Sequence, residues 1–198
     1  MRKFFHFSLI ILLFTSCLGP DTANYFLYSK DKMNGLDFSK GKWLIGEIEV
    51  NSYARTNLTN LVLADFNEYL GDRVKYSVNE RSLLLPKQIP VHPTKSVILD
   101  LKKGADFDYF VNIKCKTSIN DLSNFEFVDH YYYKKRMSYA QVILEVYDLN
   151  TGEIIYSQAS GGSIEKVNTT TNKPTTIITI GSYKTIINDI KKKSIKPL

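Results

Sequence analysis

The chain has 198 residues, with 26 Lys and Arg against 20 Asp and Glu, a formal charge of +6 and two cysteines. That length suits one domain with a real core. Basic residues run together only at Lys134-Lys135-Arg136 and Lys191-Lys192-Lys193; they are too scattered for the one-sided basic face of a nucleic-acid binder, and no nucleic-acid partner is expected.

The amino terminus carries Arg2 and Lys3, an apolar stretch from Phe4 to Phe14, then Thr15, Ser16 and Cys17. A basic n-region, a short h-region and small residues before a cysteine make a bacterial secretory signal of the lipoprotein type. The h-region falls short of the roughly 20 apolar residues that span a bilayer. Residues 1–16 therefore read as the signal peptide and Cys17 as the acylated first residue of the mature chain. Phe14 stands where such signals usually have Leu, and an ordinary cleaved signal or an uncleaved anchor are the alternatives. An acylated Cys17 leaves Cys115 without a partner, so no disulfide framework is expected. Two or three acyl chains, at about 0.8 kcal/mol per buried methylene, would hold the protein on the bilayer. The expected location is the outer membrane, facing the periplasm.

Residues 17–42 read as lipidated cysteine and tether, broken by Gly19, Pro20, Asn34, Gly35 and Gly41, with Tyr25-Phe26-Leu27-Tyr28 apolar enough to dock on the domain. About 25 residues would reach roughly 80 Å fully extended. A single domain is expected over 43–198. Trp43 to Asn51 alternates as a strand, and Leu58, Leu61, Val62, Phe66 and Leu70 predict a helix over 57–70, stopped by Gly71. Arg73 to Val78 reads as a second strand. After Pro86, Pro90 and Pro93, residues 94–103 suit a short helix with Thr94 as its cap, Val97, Ile98 and Leu101 inward and Gly104 at its end. Tyr109 to Thr117 alternates again and places Cys115 inward. Residues 121–138 read as an irregular excursion. Tyr139 to Tyr147 and Glu153 to Ala159 form a hairpin through Asp148-Leu149-Asn150-Thr151-Gly152, ended by Gly161-Gly162. Ile177, Ile180, Tyr183, Ile187 and Ile190 predict a C-terminal helix. The expected fold class is α/β (α+β), order β-α-β-α-β-β-β-α, a mixed, mainly antiparallel sheet with helices on one face.

Two stretches carry a family resemblance: Asp108-Tyr109-Phe110-Val111, and Asp148-Leu149-Asn150-Thr151-Gly152-Glu153-Ile154-Ile155. With the element order and the lipoprotein signal, residues 43–193 resemble the compact domain of outer-membrane lipoproteins of the curli-secretion type and of lipoprotein activators of penicillin-binding proteins. Asn112 stands where these families often have Gly. The resemblance implies an α/β domain that works in the envelope by binding, and carries over no partner-binding residue.

Motifs for catalysis are missing. His92 and His130 have no second His or Cys at metal-ligand spacing, and there is neither a phosphate-binding glycine loop nor a nucleophile elbow. No cofactor or metal is expected. Asp106 and Asp108 pair on paper, yet at a helix-to-strand junction they read as turn-solvating carboxylates. One stretch stands out: Phe125, Phe127, Tyr131, Tyr132 and Tyr133 precede Lys134-Lys135-Arg136. Consecutive tyrosines on a strand face opposite sides, so part of them is exposed or packed on other segments. Phe127, Tyr131, Tyr133 and Arg136 are the candidate partner-binding residues, set against the reading in which the rings cover their own hairpin. The functional expectation is a membrane-anchored, non-enzymatic binding or assembly factor for an envelope protein or polymer. The alternative is an envelope hydrolase or transferase.

Overall fold

The computed structural model describes residues 23–28, 35–50, 52–86, 88–122, 135–167 and 173–195. The signal, Cys17, Phe127, His130, Tyr131 and Tyr133 lie outside them. Among the described residues no helix is long and apolar enough to cross a membrane.

Among the described residues, six strands and three α-helices follow in the order β1 (Asn24–Tyr28), β2 (Trp43–Ile45), α1 (Ser52–Leu70), β3 (Val74–Tyr76), α2 (Lys95–Gly104), β4 (Tyr109–Leu122), β5 (Lys135–Asp148), β6 (Glu153–Val167) and α3 (Lys173–Lys193). They make one sheet, ordered β1-β6-β5-β4-β2-β3. β2 runs parallel to β3 and β4, and every other pairing is antiparallel. The expected α/β class and mixed sheet are the observed ones.

Alternation along the strands sends neighbours to opposite faces, and both faces are used. On one, Ala54, Leu58, Val62, Phe66 and Leu70 form the single stripe that α1 lays on the sheet. Tyr183, Ile186, Ile187 and Ile190 of α3 join it over Trp43, Ile45, Val111, Ile113, Val142, Leu144 and Val146. On the other, Ile98 and Leu101 of α2 pack with Leu44, Phe110, Tyr147 and Leu149. The expectation of helices on one face is thus corrected. Odd and even positions of these strands are both apolar at this end, and α2 closes the second face.

The long meander also departs from expectation. β4 and β5 continue into the stretch read as an excursion, pairing as far as Leu122 with Lys135. Gly161 and Gly162 do not end the hairpin. They sit inside β6, opposite Gln141 and Ala140 on one side and opposite Phe26 and Tyr25 on the other. The turn itself is as read: Gly152 adopts φ 74°, its N–H donates to Asp148 O at 2.9 Å, and Asp148 Oδ1 accepts from Asn150 N at 2.8 Å.

Part of the segment read as tether belongs to the sheet. β1 pairs antiparallel with β6 from Asn24–Ser163 to Tyr28–Ala159. Leu36 and Phe38 are buried in the main core, held where Ile195 N donates to Leu36 O at 2.9 Å and Phe38 N to Ile195 O at 3.1 Å. Glycines make room for β1. A Cβ on Gly162 would stand 2.6 Å from Asn24 O, and one on Gly181 of α3 would fall inside the Tyr25 ring. Tyr25 OH donates to Ile177 O at 3.3 Å. In an unobstructed helix interior, Gly→Ala stabilises by about 1 kcal/mol. Here Gly181→Ala should lower stability instead, by about 1–3 kcal/mol from overpacking against Tyr25. Urea unfolding of the variant reads the sign.

Candidate functional site

β2 and β3 are parallel neighbours, so their carboxyl ends lie together. Beyond them opens a crevice of about 490 Å³, with Glu47 and Glu49 from the β2–α1 connection, Arg55 from α1, Glu80 from the turn after β3, and Gln88 and Asn112 at the back. The charges are paired at the rim. Glu47 meets Arg55 at 3.1 Å and Glu49 meets Lys114 at 2.7 Å. With Glu80 the lining holds three carboxylates, two of them paired with Arg55 and Lys114, and this surplus of one suits a cationic or donor-rich ligand. These carboxylates do not converge: among the described residues no three His, Cys, Asp or Glu side chains could hold a metal ion.

Behind the crevice lies a buried polar cluster. Asn112 of β4, Glu145 of β5 and Ser157 of β6 form one row across three strands. Glu145 is 1% exposed, and a carboxylate so placed is costly without hydrogen bonds. It has them: Tyr147 OH donates to Oε2 at 2.7 Å, His92 N to Oε2 at 3.0 Å and Ser157 Oγ to Oε1 at 3.0 Å. His92 Nδ1 stands 2.8 Å from Oε1. Asn112 Nδ2 donates to Tyr147 OH at 2.8 Å and to Pro90 O at 3.2 Å. Burial, with Glu145 beside it, pushes the Tyr147 hydroxyl well above its ordinary range. His92 sits at φ 51°, the left-handed region that a non-glycine residue enters only when its surroundings require it. The backbone turns there so that amide and ring reach the same carboxylate. The cluster thus staples the proline-rich strap 88–93 to the sheet and fixes the back wall of the crevice.

The structure assigns the other sequence-derived candidates as follows. Arg136 lies on β5 opposite Asp121 and Lys166. Phe127, Tyr131 and Tyr133 are outside the described residues, as is Cys17. Cys115 faces inward beside the main core, where burial pushes its thiol up to about 12. His92, read as a loop residue, is the unforeseen partner of Glu145. Asp108 serves the turn, accepting from Lys42 N at 2.9 Å and Asn150 Nδ2 at 3.2 Å, while Asp106 is exposed. Thr94 precedes α2 as expected, but its hydroxyl pairs with Ser96 Oγ at 3.0 Å and caps no backbone amide.

No protein-family model matches the chain, and no curated protein does. Among solved structures it is similar to the hypothetical protein CT253 of Chlamydia trachomatis, with TM-score 0.45 and 9% identity over 78% of this chain and 98% of that one. It is similar to the PelC dodecamer subunit of Paraburkholderia phytofirmans, with TM-score 0.39 and 8% identity over 81% and 95%. It is also similar to lipoprotein GNA1162 of Neisseria meningitidis, with TM-score 0.35 and 14% identity over 76% and 99%. At these scores the likenesses carry no argument about function, and no family is assigned.

Two outcomes test the local chemistry. Glu145→Gln keeps the shape but replaces an acceptor of several donors by an amide, so it should cost about 1–3 kcal/mol. It should also speed amide hydrogen exchange at His92. The Lys42 amide beside Asp108 holds that carboxyl below the usual carboxylate range. A lowered native pKa adds stability that is fully present above the ordinary Asp value of about 4 and is lost as pH falls from there through the lowered native one. Asp108→Asn should therefore destabilise at pH 7, and the difference from the unaltered protein should shrink as pH falls below about 4, as read by urea melts across that range.

Proposed function

We propose that the chain is a lipid-anchored protein of the bacterial envelope, held at the outer membrane through acylated Cys17, that works by binding rather than by catalysis. The observation that carries the reading is the crevice beyond β2 and β3. It is a carboxylate-lined recess formed mainly by connections between elements, with its back wall held by the Glu145 cluster, and a preorganised wall of this kind spares a partner the entropy of ordering it. The occupant that fits is a cationic or donor-rich segment of another envelope component. The sequence supplies a second contact surface in Phe127, Tyr131 and Tyr133, which fall between β4 and β5, and in Arg136 at the start of β5.

Processing and binding have separate tests. Cys17→Ser should release the protein from the membrane fraction or leave its precursor uncut; unaltered protein that is soluble, with a free amino terminus beyond Cys17, would defeat the anchor. For binding, lipidated protein is captured from crosslinked envelopes. Glu47→Gln with Glu80→Gln should weaken recovery of the partner by up to about fivefold per carboxylate, the range for exposed pairs. Tyr131→Ala, Tyr133→Ala and Arg136→Ala together should weaken it further with the melting temperature nearly unchanged. Undiminished capture by both sets would place binding elsewhere.

A further inference from the structure

Among the described residues β1 is the last strand of the sheet, paired on one side only. Its free edge carries three consecutive apolar residues, Phe26, Leu27 and Tyr28, exposed at 55%, 39% and 56%. Strand edges in water are ordinarily protected by Lys, Pro or a bulge, and β1, with the sequence NYFLY, has none of these. On the open face the Phe26 and Tyr28 side chains stand beside Gly161 and Ala159, their register partners. With Tyr139 and Gln141 they line a groove of about 330 Å³ whose one charged side chain is Lys116. An edge this apolar calls for a cover.

The chain itself indicates which cover. Asn24, the first residue of β1, lies seven positions after Cys17, so the link can span no more than about 25 Å. Once β1 is counted into the sheet, the long tether expected from sequence shrinks to Leu18–Ala23. We infer that the β1 rim docks on the lipid surface, with Phe26, Leu27 and Tyr28 at the level of the headgroups and Lys116 facing their phosphates. This rests on acylation of Cys17. A bilayer tethered by so short a link is present at high effective concentration, whereas a second copy must arrive by diffusion. Tyr and apolar side chains with a flanking cation are also what the membrane–water interface accepts.

The test uses the full acylated chain in phosphatidylethanolamine–phosphatidylglycerol vesicles whose acyl chains are brominated near the headgroup. Phe26→Trp adds an indole on the rim, and Tyr53→Trp adds one at an exposed position of α1; the buried Trp43 is a constant background in both. The Phe26→Trp emission should shift to the blue and lose most of its added intensity, while the Tyr53→Trp emission should keep it. Equal quenching of the two, or of neither, overturns the inference. The mass of the mature protein separates the two levels. An acylated chain with an unquenched rim indole sinks the docking alone, and an unacylated chain sinks the anchor and the docking with it. If the rim indole is blue-shifted but unquenched and Phe26→Asp turns a dimer into a monomer, a second copy covers the edge and the inference fails.

Discussion

A strand residue pointing to one face commits its neighbours to the other, and the described residues bring three α-helices to the two faces of this sheet. Most of the molecule follows from how they are divided. α1 and α3 close one face along nearly its whole length. α2 closes the other at one end only, over Leu44, Phe110 and Tyr147. Along the meander β4–β5–β6 the second face therefore changes character: apolar beneath α2, polar and buried at Asn112 and Glu145 with Ser157 half-buried beside them, then open at Gln141 and Tyr139. Residues of the same strand thus meet three environments within a few steps of 3.3 Å each.

The middle zone is where a carboxylate has been taken out of water. An isolated ionised group there would be expelled or neutralised; hydrogen bonds from the His92 amide of the strap, from Tyr147 on its own strand and from Ser157 on β6 keep it. The bonds act in both directions. Glu145 holds a strap that has little regular structure of its own, and the strap shields Glu145 from solvent. Because His92 accepts an unfavourable backbone geometry to complete the arrangement, the strap has few alternatives of similar energy, and the crevice behind Gln88 and Asn112 has a defined shape.

Local patterns in the sequence reported local structure well. The i, i+4 stripe of α1, the Ile98 and Leu101 pair of α2, the Asp148–Gly152 turn and the alternating strands beside it needed only nearest neighbours to be legible. What escaped depends on contacts distant in sequence. Gly161-Gly162 reads as a terminator, since glycine weakens a strand; its use here is to let Tyr25 and Asn24 approach, more than 130 positions away. Periodicity divides a strand into two faces but does not say that both are covered, so α2 was placed with the other helices. The Glu145 cluster left no signal at all: between Leu144 and Val146 a glutamate looks like an ordinary solvent-facing residue. Asn112 differed from the Gly that the resembling families often have, which marked the position without explaining it. The crevice draws on five separate segments and no motif announces it.

The strand order sets how these surfaces are presented. β1 lies at one edge of the sheet and β3 at the other, and five inter-strand steps of about 4.8 Å separate them by about 24 Å. With Cys17 acylated as proposed, the seven positions between it and Asn24 tie the β1 edge, and not the crevice, to the bilayer. A domain that docks by β1 holds the β2–β3 edge, with the recess at its carboxyl ends, about 20–24 Å across the sheet from the lipid. The same pairing that shortens the tether thereby sets the recess apart from the bilayer. A partner could then reach the recess without crossing the headgroups, while the anchor confines the search for it to a layer one domain deep.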